Sequence, residues 1–387
     1  MVFFVADNIV SSLGMSTKQN FISLLNGNTG ISLVENKAIY NEPFQASMIN
    51  DKKLEKYYNI ISTKYPHSVS KHTRLEKMLI VSVDEALSKS NIDITSNKTG
   101  IVLSTTKGNI NLLEPNQKNR FPANRISLWK LGDVIRKFFG NPNMTIVISN
   151  ACISGVLAIN KAAMMIQSKK FDNVVVTGAD MVSRFVVSGF MSFLSLSSEP
   201  CRPFDKDRNG LSIGEAASTI ILSSNPNGNS LIHRGGGSAN DANHISGPSR
   251  TGEGSFIAIN KALIEADISS SEIDHISSHG TATPYNDEME SIAIDRHKLN
   301  KVPINSIKGY LGHTLGAAGL VETSILLEEM RMNTLIKSAG FEKLGVSKDI
   351  SIITQNQETE ITTCLKMASG FGGSNASLII SKVVNDE

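Results

Sequence analysis

The stretch 144–180, MTIVISNACISGVLAINKAAMMIQSKKFDNVVVTGAD, constrains the fold more than any other part of the chain. Residues 144–149 are apolar and β-branched over the length of a strand. Asn150 and Ala151 fit a turn. Residues 153–169 have helix length and good helix formers, with apolar side chains nearly all round (Val156, Leu157, Ile159, Ala162, Ala163, Met164, Met165, Ile166). A helix apolar on most faces is buried. Residues 174–177 form a second apolar strand. A strand–helix–strand unit of this kind implies a parallel sheet covered on both faces.

Cys152 falls at the strand-to-helix junction, at or next to the helix N-terminus. Free backbone N–H groups and the positive end of the helix dipole favour a thiolate there, which lowers the pKa and makes a nucleophile. The alternative is a small buried hydrophobe, the commonest role of a free cysteine. Cys201 and Cys364 are the other two cysteines. They lie far apart, without a CxxC pair, which argues against a disulfide framework and against a structural zinc site.

With 387 residues the chain can bury one large core or two domains. A formal charge of +2 gives no sign of a nucleic-acid binder. The N-terminus has no basic segment of the signal-peptide kind, and no apolar run reaches the ~18 residues that span a bilayer. The expected compartment is the cytosol, with no membrane association.

In chain order, 2–9 reads as a strand, 17–25 as a short helix and 35–70 as irregular surface structure. Residues 73–90 read as an amphipathic helix, 100–104 as a strand, 109–124 as a polar loop and 126–139 as a helix. Residues 181–196, rich in Ser, Phe and Met, carry no clear period. A turn at Asn209-Gly210 and a strand over 217–223 follow. NPNGN at 225–229 is the best linker in the chain. The pattern then restarts, with a glycine-rich loop at 235–237, helices at 254–267, 286–298 and 314–332, and strands at 273–278 and 302–305. Strands near 349–353, 361–367 and 375–382 close the chain. The simplest architecture is two α/β halves, 1–228 and 229–387, without a residue-level repeat.

Three segments of the second half carry chemistry. In HISSHGTATPYNDEMES, His279 sits at the carboxyl edge of a strand, where open α/β sheets bind ligands. His275 and His279 lie ~13 Å apart on a strand, at ~3.3 Å per residue, too far to share a metal ion. In INSIKGYLGHTLGAAGLVE, His313 lies in a glycine-flanked loop and Gly316-Ala-Ala-Gly319 opens a helix whose small residues allow close backbone packing. Neither a Rossmann fingerprint nor a P-loop is present. In ASGFGGSNAS, glycines around Phe371 free a backbone N–H to face a developing oxyanion. One thiol and two histidines at sheet edges fit thiol-based acyl transfer. His233, His244 and His297 read as ordinary core histidines.

NACISG, CRPFDKDRNG with SIGEAAS, SSHGTATPYNDEMES, IKGYLGHTLGAAGLVE and SGFGGSNAS, in this order, resemble the successive motifs of the elongating β-ketoacyl-acyl carrier protein synthases of the thiolase-fold superfamily. The likeness is close from about residue 145 onward and looser before it. It implies two stacked βαβαβαββ halves forming a five-layered α-β-α-β-α core. It implies that Cys152 accepts the acyl group and that His279 and His313 assist decarboxylation of a malonyl donor. Lys308 would be the family's active-site lysine and Glu322 its charged partner. The backbone N–H groups of Cys152 and Phe371 would form the oxyanion hole, with Phe371 also gating the pocket between Gly370 and Gly372. Thr281 and Thr283 would line the phosphopantetheine tunnel. No metal or organic cofactor is implied, since the phosphopantetheine belongs to the acyl carrier protein partner. Lys64, Lys71 and Arg74 are candidates for docking that carrier. A homodimer is the usual assembly, and a heterodimer with a chain-length factor is the variant.

Lys366 and Met367 stand where many relatives carry small polar residues near a structural cation site. Ser369 stands where a second phenylalanine is common. These departures leave Cys152, His279 and His313 untouched and point toward a specialised pathway, such as polyene or other secondary lipid synthesis. Two rivals share the fold. A thiolase would use a second cysteine as base, for which Cys364 is the candidate. A chain-length-factor subunit would lack the nucleophile, against which Cys152, His279 and His313 argue.

Overall fold

A computed structural model describes residues 1–65, 71–117, 120–241 and 247–383. His244 lies outside them. The first series of elements runs β1 (Val2–Val10), α1 (Arg74–Leu87), β2 (Thr99–Ser104), α2 (Leu128–Phe138), β3 (Ile146–Ile148), α3 (Ser154–Gln167), β4 (Asn173–Asp180) and β5 (Ala216–Ser223). The second runs β6 (Leu231–Asn240), α4 (Glu253–Ala266), β7 (His275–Ser277), α5 (Pro284–Arg296), β8 (Ile304–Asn305), α6 (Ala318–Met332), β9 (Thr363–Gly370) and β10 (Ser374–Lys382). Each series is βαβαβαββ.

The strands form one ten-stranded sheet in the order β8-β7-β9-β10-β6-β1-β5-β4-β2-β3. Outward from the centre, the halves read 1-5-4-2-3 and 6-10-9-7-8, the same topology twice. Pairing directions repeat as well. The β4–β5 and β9–β10 pairs are antiparallel, and β2–β4 and β7–β9 are parallel. The halves join through β1 and β6, where Val2 faces His233 and Phe3 faces Ile232.

Side-chain alternation along the strands builds three cores. Phe3, Ile101, Leu103, Val175 and Ile221 face outward against α1 and α2. Val2, Phe4, Val102, Val174 and Val176 from one half, and Cys364, Leu378 and Ile380 from the other, face inward onto α3 and α6. Leu365, Met367 and Ile379 face α4 and α5. The two halves of the one sheet pack on opposite sides of α3 and α6, so the five layers are helix, half-sheet, helix, half-sheet, helix. In the central layer α3 and α6 cross backbone to backbone. A Cβ on Gly155 would lie 2.8 Å from the Leu320 nitrogen, and one on Gly319 would lie 2.6 Å from the Val156 nitrogen.

The structure departs from the sequence reading in several segments. Residues 35–70 are not irregular throughout. Strand Phe44–Ser47 pairs with Ile31–Val34, and helix Asp51–Ser62 is capped by the Asn50 side chain, which accepts from the Lys53 N–H. Only Leu54 and Ile61 of that helix are buried, so its apolar signal is diluted by Lys, Glu and Asn. Gly235–Gly237 is not a loop but the middle of β6. A Cβ at Gly235 or Gly237 would strike the α4 backbone, 2.5 Å from the Ala262 oxygen or 2.0 Å from the Ala258 oxygen. These glycines let a helix lie against a strand. The segment 349–353 makes only an isolated bridge, Ile304 to Ile352. Residues 181–196 contain the helix Arg184–Ser192.

Candidate active site

Three loops at the carboxyl ends of β3, β7 and β8 meet at one point. Each holds a non-glycine residue in the left-handed region, a conformation of order 1–3 kcal/mol above the ordinary ones. These are Ala151 (φ 44°) before Cys152, Ala282 (φ 65°) after His279 and Leu315 (φ 56°) after His313. Each is braced. The Ser154 hydroxyl accepts from the Asn150 N–H (2.8 Å) and donates to the Ala151 carbonyl (2.6 Å). Asp287 accepts from the N–H groups of Thr281, Ala282 and Phe204. The Leu315 N–H donates to His313 Nδ1 at 3.3 Å.

The Cys152 sulfur and one ring nitrogen of each of His279 and His313 lie within 4.8 Å of one another. The two rings meet edge to face at 5.1 Å. Lys308 Nζ donates to the His279 carbonyl (2.5 Å) and stands 3.2 Å from His279 Nδ1. Both Nδ1 atoms therefore accept hydrogen bonds, which leaves each Nε2 with the proton. Burial, and after it the Lys308 charge, holds both imidazoles well below the usual histidine range, so both are neutral. Two neutral N–H donors beside one thiol in a buried pocket suit an oxyanion or enolate. They suit a metal poorly, because a ligating Nε2 would have to give up that proton and with it the bond at Nδ1.

Lys308 also pairs with Glu322 Oε1, whose Oε2 lies 2.8 Å from Lys366 Nζ. Glu290 accepts from the N–H groups of His279 (2.7 Å) and Gly280 (2.6 Å). Burial and the neighbouring Asp287 push its carboxyl up to about 7. Asp180, at the end of β4, accepts from the N–H groups of Thr106 (2.8 Å), Lys107 (3.2 Å) and Gly316 (2.7 Å). It ties the two halves together beside Cys152.

A cavity of about 370 Å³ opens on Cys152, His279 and His313 and is also lined by Thr281, Thr283, Gly370 and Phe371. Thr281 and Thr283 share a hydroxyl hydrogen bond of 2.9 Å. Phe371 packs on Phe190 (5.6 Å) and Phe193 (5.2 Å), an aromatic wall beside the thiol. A Cβ on Gly370 would lie 3.1 Å from the Cys152 nitrogen, so this glycine lets the 370–373 turn approach the nucleophile backbone. Gly372 supplies a φ of 85° to that turn.

Three sequence expectations change. The Cys152 thiol is not lowered. Burial pushes it up to about 11, against the pull of Lys308. Its helix begins only at Ser154, two residues beyond the thiol, and loss of water is the largest influence on it. Arg74 is no docking residue. Its guanidinium grips buried Glu215 (2.6 and 2.9 Å), Asp51 and the Ile49 carbonyl. Lys64 pairs with Asp84 at 2.7 Å yet keeps about half of its side chain exposed, as Lys71 is exposed, so both stand as docking candidates. Cys364 is buried within β9 and does not line the cavity, so no second cysteine stands ready as a thiolase base.

Sequence reasoning missed Ser154, Asp180, Asp287 and Glu290. Asp287 and Glu290 sit three apart in the first turns of α5 and face back to the loop before it. That spacing was the available signal. His233 and His297 are core histidines, as expected, bonded to Asn160 and to the Phe256 carbonyl.

The family described as beta-ketoacyl synthase, N-terminal domain, matches residues 2–227, and its C-terminal domain counterpart matches residues 231–342. The 3-oxoacyl-[acyl-carrier-protein] synthase 2 of Vibrio cholerae is 27% identical over 97% of this chain and 97% of its own. That of Coxiella burnetii is 32% identical over 62% of each. Among solved structures, the ketosynthase ApeO of Xenorhabdus doucetiae, in complex with its chain length factor ApeC, superposes with a TM-score of 0.86. It is 25% identical and covers 99% of this chain and 98% of its own. The motifs, the doubled fold and these likenesses agree, and the chain belongs to the β-ketoacyl-acyl carrier protein synthases, elongating acyltransferases of the thiolase-like superfamily.

Proposed function

We propose that Cys152 carries the growing acyl chain and that His279 and His313 drive its condensation with a malonyl group delivered on acyl carrier protein. The geometry of Cys152, His279 and His313 carries this reading. In the first step the Cys152 sulfur attacks the acyl thioester, and the departing carrier thiol takes up the proton that the cysteine loses. In the second, malonyl thioester loses CO2. The enolate oxygen accepts from the Nε2–H groups of His279 and His313. In the third, the carbanion attacks the acyl-cysteine carbonyl. The backbone N–H groups of Cys152 and Phe371 hold the tetrahedral oxygen; collapse expels the Cys152 thiolate, which takes one proton from solvent, and leaves a chain two carbons longer. Lys308 and Glu322 keep His279 in register. Thr281 and Thr283 receive the phosphopantetheine arm, which arrives with the carrier, so no cofactor or metal of the chain's own enters. Lys64 and Lys71 are the candidates for steering the carrier.

We further propose a dimer built on the free edge of the sheet. Strand β3 is the sheet's last strand, only half-buried, with Met144 exposed beside it. An unpaired strand edge of this kind invites a second chain. The pairing of ApeO with a chain length factor favours a heterodimer as the second reading, and the departures at Lys366, Met367 and Ser369 favour a polyene or polyketide product over a housekeeping fatty acid. Three buried free thiols fit a reducing cytosol. No helix among the described residues is long and apolar enough to cross a membrane. Incubation with acyl-carrier thioester, followed by peptide mass analysis, tests the central claim. The acyl mass should appear on the Cys152 peptide, and its appearance on another residue would sink it.

A further inference from the structure

Lys366 has no exposed surface, yet it stands in the middle of β9 between apolar neighbours. Its Nζ lies 2.6 Å from the Met367 carbonyl oxygen, 3.0 Å from that of Ser278 and 3.1 Å from that of Ser277. Glu322 Oε2 is 2.8 Å away. An ammonium has three hydrogens, so the three carbonyls and the Glu322 carboxylate share them around one buried charge. Four oxygens converging on one buried point are the donor set of a hard cation.

The neighbours show what this cation organises. Lys366 binds the carbonyls of Ser277 and Ser278, and Lys308 binds the carbonyl of His279. Three consecutive carbonyls at the end of β7 are thus held by two ammonium groups that share Glu322 between them. On the amide side, Glu290 takes the N–H groups of His279 and Gly280. Lys366 itself does not line the cavity.

We propose that Lys366 is a built-in cation, filling a cradle that would otherwise admit a monovalent ion, and that it acts as a positioning residue by fixing the end of β7 and so aiming His279 into the cavity. Without it, three carbonyls and one carboxylate oxygen would surround an empty space of ammonium size, and only a diffusible cation could relieve them. The enzyme as it stands needs no such ion.

The test is Lys366→Ala in the full-length protein, compared with wild type in choline, potassium, ammonium and methylammonium chloride at one ionic strength. In choline chloride the variant should lose ~10²-fold in kcat for CO2 release from malonyl-carrier thioester, as expected when a catalytic group is misplaced by about 1 Å. Its KM should stay near that of wild type. Potassium, ammonium or methylammonium should restore about tenfold or more, saturably, by refilling the cradle. The same cations should raise the melting temperature of the variant and leave wild type unmoved. This melting arm holds even if the condensation chemistry proposed for Cys152, His279 and His313 is wrong, and the kinetic arm alone rests on that chemistry. If the variant does not fold in choline chloride, its folding in the other salts is the readout. Full activity of the variant in choline, a response of wild type to the choice of cation, or a variant that no cation restores in activity, melting or folding would each overturn the proposal.

Discussion

Lys308 binds His279 twice, through the carbonyl oxygen at 2.5 Å and beside Nδ1 at 3.2 Å. An ammonium only donates, so it dictates that Nδ1 accepts and that Nε2 carries the proton. The same charge, after burial, holds the His279 pKa down. Lys308→Ala should therefore do two things. The ring loses its tautomer lock, and decarboxylation should fall by ~10²-fold, as for loss of one oriented donor. The His279 ring should also titrate at higher pH than in wild type, because a neighbouring cation is gone. NMR titration of the imidazole reads this directly. An unchanged titration in the variant would mean that Lys308 does not set the protonation of His279.

The three cysteines should separate by access before they separate by acidity. Cys152 lines the cavity. Cys201 is buried with its thiol directed to the Lys308 carbonyl, and Cys364 is sealed within β9. Iodoacetamide should alkylate Cys152 first and abolish condensation. Burial lifts this thiol to about 11, so its rate should climb about tenfold per pH unit from 7 to 9, following the thiolate fraction. A plateau reached below pH 8 would mean that the helix end outweighs burial after all. First labelling at Cys364 would reopen the thiolase reading.

The contact between α3 and α6 couples the two halves at the nucleophile. A Cβ on Gly319 would sit 2.6 Å from the Val156 nitrogen, which is backbone and cannot turn aside. Gly319→Ala should destabilise the protein by roughly 1–3 kcal/mol, the usual range for overpacking. It should also slow Cys152 alkylation, since the helix that must shift begins two residues after that thiol. Gly189→Ala is the control, because nothing stands within 4 Å of the added methyl. Denaturant melts of the two variants decide the point, and equal stability would show that the helices part without strain.

Much of this was legible in the sequence, for a physical reason. Cys152, His279 and His313 each follow a strand and sit among small residues, and a sharp loop at a strand end leaves a one-dimensional mark. Two α/β halves were legible because apolar periods survive in most elements, and their βαβαβαββ order came from the family resemblance. The braces behind the site left fainter marks. Asp180, Asp287 and Glu290 look like surface acids until the backbone amides they hold are folded around them. Lys366 was marked in the sequence only by its place near the family's cation site, since most of its partners come from the end of β7 and from α6. The glycines of β6 imitated a loop because their reason lies in the following helix, at Ala258, Ala262 and Ala266. The loss of thiol acidity at Cys152 follows from burial, which spacing alone does not report.

The sharpest prediction separates the half-reactions. Decarboxylation needs the Nε2–H donors of His279 and His313 but no acyl acceptor. Condensation needs those donors and the Cys152 sulfur. Cys152→Gln removes the nucleophile and leaves a polar side chain to occupy its place beside the Cys152 and Phe371 amides. That variant should still release CO2 from malonyl-carrier thioester while forming no ketoacyl product. His313→Ala should fail at the other step, losing decarboxylation while keeping acyl transfer to the thiol. It removes one of two donors to the enolate, and CO2 release should fall by ~10²–10³-fold, the usual loss for one oxyanion donor. Its Cys152 should still take up an acyl group, because the sulfur and the loop held by Ser154 are untouched. Measuring CO2 release beside intact-protein mass on both variants gives four outcomes. Normal decarboxylation by His313→Ala, or ketoacyl product from Cys152→Gln, would show that the thiol and the imidazoles do not divide the work in this way.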